Sequence, residues 1–283
     1  MRPDDVEQTV RVQGAAFAAL ADQTGEPVAD LAAHQRELAG LHRHFVAHDE
    51  GGAWVATRDS RIVGCAMALR RDDLWGLSLL VVDPTVQSTG IGRRLLDATL
   101  RHAAGCERAA IQSSSDPRAI RLYATSGFAL FPQMAATGKP VVDAAPASVA
   151  RVRDGGPADH PFADGIDRAV RGAGRGPDHA LIASWADMYV VADAAGRGYA
   201  YRRGDEVYLL AATDDATAAA LLWHCFLRAA AQDVEMNVFH LTSEQQWAIE
   251  ACFAARLKVT PGGPVFWRGA TPPRAYLPSG AFL

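Results

Sequence analysis

The stretch richest in chemical content is Leu79-Leu80-Val81-Val82-Asp83-Pro84-Thr85-Val86-Gln87-Ser88-Thr89-Gly90-Ile91-Gly92-Arg93-Arg94-Leu95-Leu96. An apolar run, a polar loop with two glycines and the start of an amphipathic helix make an anion site. Backbone N–H groups point outward at the positive end of the helix, and glycine lets a phosphate come close. Two nucleotide-binding patterns fail here. A P-loop needs Lys after its last glycine, and Arg93 follows Gly92. A dinucleotide G-x-G-x-x-G would begin at Gly90, but its third glycine position is Leu95 and the preceding strand belongs to a meander. The glycines alone leave open a plain strand-to-helix turn with no ligand. A second cluster, His42, His44, His48, Asp49 and Glu50, closes a helical stretch. His44 and His48 share a helix face, and imidazole titrates in the range of a general base. The competing reading is a solvated helix end. As a zinc site the pair lacks the Glu of H-E-x-x-H and a third ligand, so no metal is expected.

The elements that must position these residues follow from periodicity. Apolar spacing predicts helices over residues 4–20 and about 28–46, the second through Val28, Leu31, Leu38, Leu41 and Phe45. Three strand-like runs follow at hairpin spacing, residues 53–57, 61–69 and 74–82. Beyond the glycine loop the pattern predicts a helix to about Ala104 and a strand over 108–112. A helix over 118–125 then begins at Asp116-Pro117, and a strand follows over 128–131. A Gly/Pro/Ala-rich stretch over 137–146 reads as a domain connection, giving domains 1–140 and 141–283. The second half repeats the order of the first. Trp54-Val-Ala-Thr-Arg aligns with Tyr189-Val-Val-Ala-Asp, Gly64-Cys-Ala-Met-Ala with Gly198-Tyr-Ala-Tyr-Arg, Leu77-Ser-Leu-Leu-Val with Val207-Tyr-Leu-Leu-Ala, and Ala119-Ile120 with Ala248-Ile249. Two copies of one α/β (α+β) unit explain this better than two unrelated domains. Residues 171–178 read as a loop. Where the first copy has its glycines, the second has Thr213-Asp214-Asp215.

Length and composition agree. At roughly 150 residues per domain, 283 residues make about two domains, and 49% hydrophobic residues suffice for two cores. With 28 Lys+Arg against 32 Asp+Glu the net charge is −4. No basic stripe is present, so no nucleic-acid partner is expected. Apolar runs are strand-sized, which argues against a membrane partner. The polar opening Met1-Arg2-Pro3-Asp4-Asp5 and four scattered cysteines (Cys65, Cys106, Cys225, Cys252) give the expectation of a cytoplasmic protein with reduced thiols. The tail 274–283 is apolar for a terminus and is expected to dock at the domain junction.

The pattern Val82-x-Pro84-x-x-Gln87-x-x-Gly90-Ile91-Gly92 followed by Leu95-Leu96 resembles the GNAT superfamily of N-acetyltransferases. So does a second block, Ser115-Asp116-Pro117-Arg118-Ala119-Ile120-Arg121-Leu122-Tyr123 with Ser126-Gly127-Phe128. The motif match spans Trp54 to Phe128. The resemblance implies two GNAT-like domains, each a mostly antiparallel twisted sheet flanked by helices, the second degenerate. It implies that backbone groups at Leu80, Val81 and Val82 hold the pantetheine arm of acetyl-CoA. The N–H groups of Gln87, Ser88, Thr89, Gly90, Ile91, Gly92 and Arg93 would take the pyrophosphate. Asp116 stands where the family has Asn, and an ionised acid accepts but cannot donate. Tyr123 stands at the position of the acid that protonates the departing thiolate; phenol and thiol are close enough in pKa for that transfer. Some relatives use a Glu on the central strand as the base, but the nearby positions here are Trp75, Ser78 and Leu79, so the base is unassigned. Met1-Arg2-Pro3 leaves little room for the family's first strand. The implied activity is acetyl transfer from acetyl-CoA to a primary amine of a small molecule. The alternative is a non-catalytic acyl-CoA-binding or regulatory module. A further reading, a peptide or protein acetyltransferase, would require an open acceptor groove.

Overall fold

The computed structural model describes residues 1–24 and 35–283. By contacts the chain divides into two units, Met1–Phe128 with Ala281–Leu283, and Ala129–Gly280. In the first, a 3-10 turn (Pro3–Asp5) leads into α1 (Val6–Thr24), with no strand before it among the described residues. Helix α2 runs Gln35–His48; Val28 and Leu31 of the expected second helix lie outside the described residues. Strands β1 (Ala53–Arg58), β2 (Arg61–Arg71) and β3 (Leu74–Val82) form an antiparallel meander. Then come α3 (Ile91–Leu100), continued by a 3-10 turn to Ala103, β4 (Arg108–Gln112) parallel to β3, and α4 (Pro117–Ala124).

The two-residue period of the strands sorts their side chains onto two helical layers. Ile62, Cys65, Leu79 and Val81 pack with Val12, Ala16 and Phe17 of α1. Ala66, Leu80 and Val82 meet Ile91 and Leu95 of α3 on the opposite face. The C-terminal residues belong to this unit. Phe282 stacks on Phe45 of α2 at 5.9 Å and 13° and meets the His44 ring edge-on at 5.8 Å.

The second unit contains β5 (Ala129–Gly138), β6 (Arg153–Asp154), α5 (His160–Val170), α6 (Asp178–Ile182), β7 (Asp187–Asp193), β8 (Gly196–Arg203) and β9 (Glu206–Ala212). It continues with α7 (Asp215–Ala231), β10 (Met236–Leu241), α8 (Gln246–Ala254), β11 (Lys258–Arg268) and β12 (Tyr276–Leu277). Its strand order is β11-β5-β10-β9-β8-β7-β6, with β12 on β9. Leu221, Leu222 and Phe226 of α7 fill its core against Val191, Ala200 and Leu210. The repeated segments fall on matching elements: β1 with β7, β2 with β8, β3 with β9, α3 with α7 and α4 with α8. As β3 pairs with β4 in parallel, so β9 pairs with β10.

Strand β5 is longer than the residues 128–131 expected, and the stretch 137–146 lies inside the second unit. Pro132 lacks an N–H and reads locally as a strand end. The structure absorbs it where the β11–β5 register shifts between Gly262 and Val265. Residues 171–177 do form a loop, and its Arg171, Ala173 and Arg175 are buried. Arg175 pairs with Asp167 at 3.2 Å, Tyr199 donates to the same carboxylate at 2.7 Å, and Arg171 donates to Ala173 O at 2.9 Å. Cys65, Cys225 and Cys252 are buried, and that burial pushes their thiols up to about 12. No described helix is long and apolar enough to cross a membrane.

Candidate functional site

Strands β3 and β4 run together only as far as the pair Leu77–Ile111, whereas β3 stays paired with β2 out to Val82. The cause is a bulge. Met67 pairs with Leu79 and Ala68 with Leu77, so Ser78 is the extra residue and β3 turns away from β4 there. The backbone of Leu79, Leu80, Val81 and Val82 therefore has a partner strand on the β2 side and no β4 ladder on the other. That is the geometry needed for an extended ligand to lie alongside Leu80–Val82.

The chain then enters the glycine loop. Asp83 accepts from Thr85 N at 2.9 Å and Thr85 Oγ1 at 2.6 Å, holding a 3-10 turn over Pro84–Val86. Gln87 Nε2 donates back to Val82 O at 3.1 Å, and Thr89 Oγ1 to Val86 O at 2.7 Å. Ser88 sits at φ 61° and Gly90 at φ 82°, the second a left-handed N-cap that glycine adopts without Cβ strain. The first helical bond of α3 runs from Arg94 N to Gly90 O at 3.2 Å. The N–H groups of Ile91, Gly92 and Arg93 belong to the first turn, and a glycine N-cap brings no side chain to occupy them. A Cβ on Gly92 would make only ordinary contacts, 3.7 Å to Leu80 and 3.9 Å to Leu122 and Val82. The protein itself does not require glycine there.

Helix α4 is tied to this loop at both ends. Asp116 is its N-cap, accepting from Arg118 N at 2.9 Å. The Arg118 guanidinium donates to Asp116 at 2.9 and 3.0 Å, to Gln87 Oε1 at 2.7 Å and to Gln23 Oε1 at 3.0 Å. At the other end Arg93 donates to Thr125 Oγ1 and Ser126 Oγ, both at 2.8 Å. Arg93 and Gln87 thus direct their side chains at the scaffold and leave their backbones to the loop. Burial alone would raise the Asp116 carboxyl, but the Arg118 side chain and backbone hold it below the usual range, so it stays an acceptor. The sequence motif contains Arg118 without marking its part; its place two residues after the N-cap is the available signal.

Tyr123 lies on α4 with 5% of its surface exposed. Burial, and then the Asp116 charge, push its phenol well above the ordinary tyrosine value. It is therefore a group kept protonated, and its gap from the thiol is wider than the close match the sequence led one to expect.

The histidine cluster separates into different parts. His42 is fully buried, its Nε2 2.8 Å from Gln13 Oε1 and its Nδ1 2.8 Å from Thr9 Oγ1. Desolvation lowers its pKa to about 4, so it joins α1 to α2 as a neutral ring. Asp49 is also buried, paired with Arg71 at 2.9 and 3.0 Å and accepting from Arg70 N at 2.8 Å. Burial acts to raise its carboxyl, but bonds from His102, Arg71 and Arg70 bring it below the usual range. The solvated-end reading therefore does not hold for His42 and Asp49, which were legible only as polar residues near a helix end. Among the described residues no group of three His, Cys, Asp or Glu side chains is placed to hold a metal ion. In the second unit the corresponding turn is closed. Asp214 accepts from Thr217 N and Thr217 Oγ1, each at 2.8 Å, so its own carboxylate occupies the N-terminus of α7.

Residues 15–128 match the model of the acetyltransferase (GNAT) family. A Pyrococcus horikoshii protein proposed to be an acetyltransferase superposes with TM-score 0.76 at 14% identity, covering 100% of this chain and 94% of its own. A GCN5-related N-acetyltransferase from Kribbella flavida gives 0.56 at 16%, covering 94% and 69%. One from Sphaerobacter thermophilus gives 0.55 at 14%, covering 95% and 93%. These similarities carry the fold. No curated protein matches the sequence.

Proposed function

We infer that this chain, which carries an acetyltransferase (GNAT) family segment over residues 15–128, moves an acetyl group from acetyl-CoA to a primary amine of a small molecule. The observation that carries the reading is the parting of β3 from β4 at Ser78, directly before a loop whose Gly90 is left-handed and whose helix has no side-chain cap. Acetyl-CoA, as co-substrate, would lie along Leu80, Val81 and Val82, with its pyrophosphate on the N–H groups from Gln87 to Arg93. The amine nitrogen attacks the thioester carbonyl, a C–N bond forms, the C–S bond breaks, and the thiolate sulfur takes a proton from the Tyr123 hydroxyl; the proton shed by the nitrogen as it becomes an amide passes through solvent and restores the Tyr123 hydroxyl. Positioning and backbone donors aimed at the carbonyl oxygen supply most of the acceleration. His42 does not serve as base, because both ring nitrogens are engaged within the α1–α2 contact.

The repeat of element order and the Asp214 cap support reading the second half of the chain, expected from the sequence as 141–283 and lying mostly in the unit Ala129–Gly280, as a degenerate GNAT-like domain that binds no pyrophosphate. The burial of Tyr123 favours a second reading, an acyl-CoA-binding or regulatory module without turnover.

Thermal unfolding with and without acetyl-CoA tests the coenzyme site. At about 100 times the dissociation constant the ligand adds roughly 2.7 kcal/mol, a rise of about 5–10 °C. The rise should vanish in a folded Gly90→Glu/Gly92→Glu variant. No rise in the wild type would refute the reading. Release of free CoA with amines separates the enzyme from the binding module.

A further inference from the structure

We propose that Ser78 and Gln112 form an uncharged polar clamp for the acceptor, gripping a hydroxyl or amide group carried beside its amine; this rests on the acetyltransferase reading above. Leu77–Ile111 is the last rung of the β3–β4 ladder, so Ser78 and Gln112 are the first residues on either side where the strands part. Partners across a parallel pair share a face. Trp75 donates its indole N–H to Thr99 O beside α3 at 3.1 Å, which puts Trp75 and Leu77 on that face and Gly76 and Ser78 on the other. Gly76 pairs with Ala110, and Gln112, two residues on, shares that face with Ser78. The extra residue of the bulge is therefore what aims a hydroxyl here.

Ser78 Oγ and both polar atoms of Gln112 are buried and have no hydrogen-bond partner among the described residues. A buried polar group left unbonded costs stability, and an apolar residue at either place would avoid that cost. Two such side chains opposite each other, at the mouth of the proposed acyl site, point to a ligand that bonds them. Hydroxyl and carboxamide each donate and accept without charge. They suit an acceptor bearing a hydroxyl or amide, whereas a carboxylate or phosphate would find no counter-charge.

The test uses the full chain, as wild type, Ser78→Ala and Gln112→Leu. Two readouts are followed: the melting shift with acetyl-CoA, and kcat/KM for 2-aminoethanol and glucosamine against propylamine and glycine. Wild type should prefer the hydroxylated amines. Each variant should keep the acetyl-CoA shift, melt at or above the wild-type temperature, and lose about tenfold in the hydroxylated-to-plain selectivity ratio. An unchanged ratio with an intact shift overturns the clamp alone. A lost shift in the variants assigns the pair to the coenzyme, and a melting temperature lowered by several degrees assigns it to the fold; either overturns the clamp. No shift in wild type overturns the acetyltransferase reading, and the clamp with it.

Discussion

The side chain of Leu283, the last residue, rests on the Cα of Gly76 in the middle of β3: a Cβ at residue 76 would lie 1.9 Å from Leu283 Cδ1. Glycine inside a strand weakens it unless another group approaches closely, and here that group is the Leu283 side chain. With Phe282 stacked on Phe45, residues 282 and 283 pack into the core of the N-terminal unit.

Gly76→Ala should therefore destabilise by about 2 kcal/mol through overpacking. Combined with Leu283→Ala, the two losses should fall short of additivity by about 1 kcal/mol. Urea unfolding of the single and double variants measures this, and strict additivity would show that the two residues do not touch.

The two loop glycines should separate stability from binding. Gly90→Ala forces a side chain into the left-handed region and should cost about 1 kcal/mol. Gly92→Ala sits in a helix with room for a methyl group and should gain a few tenths to about 1 kcal/mol, while weakening acetyl-CoA by about tenfold if a phosphate approaches the Gly92 backbone. Calorimetric titration of a Gly92→Ala protein that binds acetyl-CoA normally would remove that close approach.

Tyr123→Phe should leave the acetyl-CoA shift in place and lower kcat by about 10²-fold. Because burial raises the phenol above its ordinary 10.0, the group stays protonated through the working range. Wild-type kcat should show no alkaline loss from Tyr123 below about pH 10. A steady-state pH profile with a limb near pH 8 that disappears in Tyr123→Phe would contradict this.

His42 gives a pH signature of folding. Its folded pKa, about 4, is below the ordinary histidine value of 6.5, so the unfolded chain binds the proton more readily. The penalty is absent above pH 6.5 and grows as the pH falls towards 4. Between pH 7.5 and 5 it amounts to about 2 kcal/mol. Denaturant unfolding at the two pH values, wild type against His42→Gln, should show a steeper loss for wild type by that amount. Equal slopes would mean that His42 is not held neutral.

Periodicity by itself determined β1 to β4, α3 and α4 nearly to their ends, because each buries a face whose spacing is a local property of the chain. Its reading of the loop was equally local. The strand-to-helix turn with its two glycines and the Asp116-Pro117 helix start depend on a few consecutive residues. The long-range decisions belong to the tertiary structure alone. Ser78 became a bulge only through the combined registers of β2 and β4 with β3. Arg118 joined Gln87 to Asp116 because α4 folds back over the loop. Pro132, a strand end by its missing N–H, was absorbed by a register shift in β11. His42 and Asp49, polar residues at a helix end by sequence, became core groups once α1 and Arg71 closed on them. Gly76 and Leu283 define each other from places far apart in the chain, and no short window of sequence contains both. What a residue can do locally is written in its type and spacing; what it is asked to do depends on which distant atoms desolvate it.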